Sequence, residues 1–210
     1  MAEVMRRLFT VLALALAPLA AAQELAPDAL VKQITGEVIA AIRQDKAIQA
    51  GDSRKIAALV ETKILPHFDT RRATQLAMGA NWRRASAEQQ DELTREFTTL
   101  LVRTYSGALA AYRDQTIEFR PLRAAPADTE VTVLSRVRQA GAEPIAIEYD
   151  LAKTEARWKV FDIRVSGISL VATYRSSFNE QVRNHGIDGL IQSLASKNRQ
   201  GPVKPVSRAM

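Results

Sequence analysis

The stretch Ser86–Tyr112, SAEQQDELTREFTTLLVRTYSGALAAY, and the change of pattern just after it decide the fold. Ser86 and Gln89 form a capping box, in which the Ser hydroxyl accepts the amide three residues on and the Gln side chain reaches back to the cap amide. Leu93, Phe97, Leu100, Leu101, Thr104, Ala108, Leu109 and Tyr112 then recur at three- and four-residue spacing. They predict one stripe on a helix of about 27 residues, roughly 40 Å long, that serves as the structural spine. Beyond Tyr112 the period switches to two. Ile117 and Phe119, then Val131, Val133 and Val137, then Ile145, Ile147, Tyr149 and Leu151, and finally Phe161, Ile163 and Val165 read as four strands. The breaks at Pro126–Asp128, Gly141–Glu143 and Thr154–Ala156 are short enough for hairpins, so the sheet is antiparallel. It must bury one face, and the helices before and after it are the available cover.

Working outward, Leu30, Ile34, Val38, Ile39 and Ile42 place an amphipathic helix over Pro27–Gln44, with Pro27 in its first turn. Gly51-Asp52-Ser53 ends that pattern, and Ile56, Leu59, Val60 and Ile64 predict a second helix that stops near Pro66. Asp69 is a cap for a third helix reaching Gly79. After Gly167, Leu170, Val171, Tyr174, Phe178 and Val182 share a helical face, Gly186–Gly189 interrupts, and Leu190, Ile191 and Leu194 mark a last short helix. The fold class is α+β: N-terminal helices and one long helix packed on an antiparallel four-stranded sheet, with C-terminal helices after it.

The 210 residues are 47% hydrophobic and 25% charged, an ordinary globular balance that excludes collagen-like and low-complexity chains. One domain is expected. Arg6 and Arg7, the apolar run Leu8–Leu16 and the small residues up to Ala22 predict a cleaved secretory signal over 1–22. Its apolar stretch of about 12 residues is short of the roughly 20 that span a bilayer. With no Cys, the chain forms no disulfide and carries no lipoprotein anchor, so a soluble exported protein is expected. The domain occupies 23–198, and 199–210, with two Pro and a Gly, is expected to be a flexible tail. The net charge of +6 is scattered among acidic residues and no nucleic-acid-binding signature accompanies it, so nucleic acid is not an expected partner.

Catalytic and metal motifs are missing from the sequence: His67 and His185 stand alone, and no His or carboxylate pair has ligand spacing. Glu148, Asp150 and Asp162 alternate with inward apolar residues and are expected to face solvent. The doublets Arg71-Arg72 and Arg83-Arg84 flank the Gly79 turn as solvated charges or as a surface for an acidic partner. Tyr105, Tyr112, Tyr149, Trp158 and Tyr174 lie beside Leu, Ile and Val stripes, a combination that builds either an ordinary core or a cavity with a polar mouth.

Five ordered strings go further: Ile64-Leu-Pro-His-Phe-Asp69, Asn81-Trp82-Arg83, Leu100-Leu-Val-Arg-Thr-Tyr-Ser106, Trp158-Lys-Val-Phe-Asp162, and Gly167-Ile-Ser-Leu-Val171 followed by Tyr174-Arg-Ser-Ser-Phe178. Together they resemble the periplasmic phospholipid-binding family of the Mla (maintenance of lipid asymmetry) ABC transport pathway, also called the toluene-tolerance or ABC-transporter auxiliary family. The resemblance covers about Ala26 to Asn198. It implies a periplasmic, non-enzymatic carrier that takes glycerophospholipid acyl chains into an internal apolar cavity, without a cofactor. It also implies two docking partners, an outer-membrane lipoprotein–porin complex and an inner-membrane ABC transporter bearing a lipid-binding ring, with a monomer as the simplest state. The inward stripes nominate Leu101, Tyr105, Leu109, Val133, Ile147, Tyr149, Val165, Ile168 and Val171 as cavity residues. The long helix and the sheet are the expected walls, and the helix beginning near Gly167, where a strand joins an apolar helix, is the expected gate. Two alternatives stand beside the carrier: an exported small-molecule enzyme with a cone-shaped pocket, which needs a buried carboxylate, and a ligand-free adaptor, which needs no cavity.

Overall fold

Caps decide where the helices start. The computed structural model describes residues 25–155 and 157–200, so the signal peptide and the tail beyond residue 200 lie outside the described residues. Helix α1 (Pro27–Gln44) begins on Pro27, whose fixed φ suits the first helical position. The carboxylates of Asp45, Asp52 and Asp69 accept backbone amides and so start α2 (Lys46–Gln49), α3 (Ser53–Leu59) and α4 (Thr70–Met78). After α3 the chain passes through a π turn at Val60–Ile64 and a 3-10 turn at Leu65–His67, then leaves the helix at Phe68. Helix α5 (Ala87–Ala110) carries the expected capping box: the Gln89 amide donates to Ser86 Oγ at 3.2 Å and the Ser86 amide to Gln89 Oε1 at 3.0 Å.

The sheet has five strands among the described residues, β1 (Thr116–Phe119), β2 (Glu130–Arg138), β3 (Ile145–Lys153), β4 (Trp158–Val165) and β5 (Ile168–Ser169). They pair antiparallel in sequence order. The fifth strand corrects the expectation of four. Ser166 and Gly167 have φ of 50° and 80°, the two positive values that a tight hairpin requires. Gly167 therefore turns the chain back along β4 instead of opening a helix, which removes the basis for a gate at that junction. After a 3-10 turn at Ala172–Tyr174 comes α6 (Arg175–Arg199). Gly186, at φ 72° and ψ −179°, adopts a backbone region essentially reserved for glycine and interrupts α6, so the segments before and after it are the two expected C-terminal helices meeting at a kink. The second also takes in Arg199, the first residue of the expected tail.

A bulge produces the second correction. Asp150 pairs with Asp162, yet Leu151 pairs with Val160, which leaves Phe161 as the extra residue. Trp158 and Val160 thereby join the face of Leu151, Tyr149 and Ile163, while Phe161 leaves the alternation assigned to it. The three carboxylates do share the opposite face, but they are not solvated as expected. Asp150 and Asp162 are buried and Glu148 is half-buried. Arg164 bonds Glu148 at 2.8 Å and Asp150 at 2.6 Å, and Thr132 donates to Asp150 at 2.7 Å, so this face is closed by a paired network.

Three separate apolar clusters hold the layers together. Phe97, Leu93, Met78, Phe178 and Leu190 join α4, α5 and α6, with Phe97 packed edge-on against both Phe178 and Tyr174. Leu30 and Val31 press α1 onto Val133, Leu151, Trp158 and Val160 of the sheet. Val38, Ile42, Ile48, Ile56 and Leu59 join α1 to α2 and α3. The space where these clusters fail to merge is the cavity.

Candidate functional site

Two apolar chambers fill that space. The first, about 220 Å³, lies between the α5 face carrying Leu101, Val102, Tyr105 and Leu109, the Val60–Phe68 turns, and Phe161, Ile163, Leu170 and Val171. The second, about 480 Å³, lies between the α1 face of Ile34, Val38, Ile39 and Ile42, the end of α5, and the sheet residues Ile117, Val137, Ile147, Tyr149, Ile163 and Val165. Ile64, Phe68, Leu109 and Ile163 belong to both walls, so the two chambers adjoin at these four side chains. The second chamber alone falls in the range of about 300–1,000 Å³ that holds small molecules.

Local chemistry explains the walls. The π turn swings Val60 and Ile64 toward the first chamber, and the amide of Asp69 donates to the Val160 carbonyl at 2.8 Å, pinning Phe68 over the sheet. Phe161 lines the first chamber, and Arg72 lies 3.9 Å over its ring while bonding Glu130 at 2.7 Å. That wall therefore presents hydrocarbon inward and a paired charge outward. Tyr105 and Tyr149 have hydroxyls held above the usual phenol range by burial, with Tyr174 near the first and Ser135 and Thr35 near the second. The cavity is apolar with a few hydroxyls in its walls.

Asp162 is the exception. It is 7% exposed and borders the first chamber, where β5 and the residues after it fold back over β4. Burial raises its carboxyl above the ordinary range, against the opposing effect of bonds from Ser169 and from the amides of Val171 and Ile163. Ile163 N–H lies 2.8 Å and Val171 N–H 3.4 Å from Oδ1. The carboxylate thus ties the chamber wall to the strand. His67 is held below the usual imidazole range by burial. Among the described residues no group of three or more His, Asp and Glu side chains is placed to hold a metal ion.

Seven of the nine nominated residues line the cavity: Leu101, Tyr105 and Val171 the first chamber, Ile147, Tyr149 and Val165 the second, and Leu109 both. Two do not. Val133, 1% exposed, is core between the sheet and α1, and Ile168, 58% exposed, faces outward from the short β5. Ile64, Phe68 and Ile163, three of the four shared wall residues, were not nominated. The π turn and the bulge that aim them have no periodic signature, although Ile64 and Phe68 sit inside the first of the five strings. The arginine doublets split: Arg71 bonds Asp91 and Gln90, Arg72 bonds Glu130, and Arg84 bonds Asn81. With Asp69 and Arg175 the first two line a polar surface cleft of about 500 Å³ that is unsuited to hydrocarbon.

An α+β domain built around two adjoining apolar chambers defines a class of protein, one suited to taking up molecules with long apolar chains. The family model described as MlaC protein matches residues 32–196, and the chain belongs to that family. It is similar to a solved phospholipid-binding protein from Ralstonia solanacearum in complex with a phospholipid, at 42% identity and a TM-score of 0.76 over 81% of this chain and 96% of that one. It is also similar to the intermembrane phospholipid transport system binding protein MlaC of Haemophilus influenzae, 23% identical over 87% of this chain and 85% of that protein. The toluene tolerance protein ttg2D of Pseudomonas putida is 24% identical over 90% and 87%.

Proposed function

We propose that this protein is a periplasmic carrier that binds glycerophospholipid acyl chains in the two-chambered cavity and moves the lipid between membrane complexes. The observation that carries the reading is a pair of adjoining apolar chambers that share Ile64, Phe68, Leu109 and Ile163, space suited to acyl chains. The phospholipid in the similar Ralstonia protein supports the cargo. Leu101, Tyr105, Leu109, Ile147, Tyr149, Val165 and Val171 are the proposed lipid contacts.

Energetics then require partners. A buried methylene gains about 0.8 kcal/mol, so an acyl chain of roughly 14 methylenes gains on the order of 11 kcal/mol. Release into water is correspondingly slow, and delivery needs a docked acceptor with an equally apolar site. The outer-membrane lipoprotein–porin complex and the inner-membrane ABC transporter with its lipid-binding ring are the proposed donor and acceptor, with the carrier working as a monomer. Among the described residues no helix is long and apolar enough to cross a membrane.

Asp162 is the one buried carboxylate at the pocket and the natural acid or base of an enzyme reading. Its oxygen is engaged by backbone amides that fix the wall, so we assign it a structural part and the protein a non-catalytic one. The test is native mass spectrometry of protein purified from a Gram-negative host without detergent, followed by lipid extraction. Near-stoichiometric phospholipid is expected. A mass that stays ligand-free after incubation with lipid vesicles and a donor complex would refute the carrier and favour the adaptor.

A further inference from the structure

The second chamber has an entrance, and its chemistry differs from that of the walls. Between α1 and the start of β1 the chamber adjoins a cleft of about 300 Å³, with Thr35, Ile39, Tyr112, Gln115 and Ile117 common to both. Gly36 forms part of this cleft, and a Cβ built there would meet nothing within 4 Å. A glycine inside a helix costs roughly 0.5–1 kcal/mol relative to alanine, and no packing contact accounts for it here. A side chain at Gly36 would project into open space beside the cleft.

Arg43 stands at this entrance. One guanidinium nitrogen donates to the Tyr112 hydroxyl at 3.2 Å, with the guanidinium 5.8 Å from the ring centroid. The Tyr112 hydroxyl in turn donates to the Gln115 carbonyl at 2.9 Å, which orients its oxygen to accept from Arg43. Among the described residues no carboxylate forms an ion pair with Arg43. Lys32 at the same entrance is paired with Asp28 at 2.9 Å, and in the polar cleft on the far helices Arg71 bonds Asp91 and Arg72 bonds Glu130. A guanidinium carries five N–H donors in a planar fork, and Arg43 lines the cleft with one side-chain hydrogen bond among the described residues, to Tyr112.

We infer that Arg43 is the recognition residue for the phosphodiester of the bound lipid, holding the headgroup in this cleft while the chains occupy the chambers. This rests on the carrier reading. The apolar walls cannot tell one two-chain lipid from another, whereas Arg43 distinguishes a phosphodiester from an uncharged glycerolipid. A charge-assisted bond at a partly exposed rim is worth about tenfold in affinity. Salt screens it, because the site faces water.

The experiment compares uptake of phosphatidylglycerol and of diacylglycerol with identical chains from neutral vesicles, by wild type, Arg43→Gln and Arg43→Lys. Gln keeps the helix propensity of this exposed position, so the variant folds. Wild type should prefer the phospholipid about tenfold more strongly than Arg43→Gln does, with Arg43→Lys between them, and added NaCl should erode the wild-type preference alone. Equal preference in wild type and Arg43→Gln overturns the assignment. Loss of the wild-type preference on replacing NaCl with inorganic phosphate at the same ionic strength also overturns it, making the cleft a site for free anions. Wild type that takes up neither lipid, even with a donor complex present, defeats the carrier reading itself.

Discussion

Stripping the cavity of lipid should lower the melting temperature by roughly 10–20 °C. The magnitude follows from the first chamber. Unfilled space inside a packed domain costs about 24 cal/mol per Å³, so a chamber of about 220 Å³ left empty costs on the order of 5 kcal/mol. For a domain of 150–250 residues each kcal/mol shifts the midpoint by about 2–4 °C. The second chamber is larger but opens through a polar cleft, and water entering there offsets part of its cost. The assay is differential scanning calorimetry of the protein as purified, after organic extraction and refolding, and after reloading from vesicles. Reloading should restore the midpoint, and longer acyl chains should raise it further at about 0.8 kcal/mol per buried methylene until the chambers are full. Stripped and loaded protein melting within a few degrees of each other, with loading verified by mass, would refute the argument that acyl chains complete the core.

Leu109→Glu places a charge on the wall shared by both chambers, and because Leu109 is only half-buried the protein should fold yet retain lipid at least tenfold less well, read by native mass spectrometry. Burial raises the Asp162 pKa, so the native state holds its proton longer than the unfolded chain, with its ordinary value near 3.8; this contribution to stability is full below that value and is lost as pH rises through the raised pKa. Asp162→Asn, which keeps an oxygen for the two amides, should remove that decline, and urea titrations from pH 4 to 7 that show the same decline in both proteins would count against the assignment. Gly186→Ala should cost about 1–3 kcal/mol in the same titration, because nothing lies within 4 Å of the added methyl and the whole penalty comes from its backbone conformation.

The ordinary unit of the sequence signal is short, and what is short-range was legible. Pro27, the capping aspartates, the Ser86–Gln89 box and the 3.6- and 2-residue periods each act within a few residues of themselves, so the α+β order, the helix starts and four of the five strands follow from them. The five strings added the family, and with it the expectation of a cavity. Periodicity could say which side of a strand or helix is apolar, and no more. It could not distinguish Val133, packed in the core, from Ile147, on a chamber wall, since both point the same way from paired strands.

Tertiary structure decided the rest. The bulge at Phe161 changes which residues of β4 face inward, and the Ser166–Gly167 turn folds β5 back so that Asp162 is buried and Ile168 is not. The cavity itself is a gap among three clusters contributed by segments far apart in the chain, meeting at Ile64, Phe68, Leu109 and Ile163. A core and a cavity wall use the same apolar residues at the same spacing. Which one they become depends on whether another segment arrives to fill the space, and that depends on register and packing between distant elements, which no local pattern encodes.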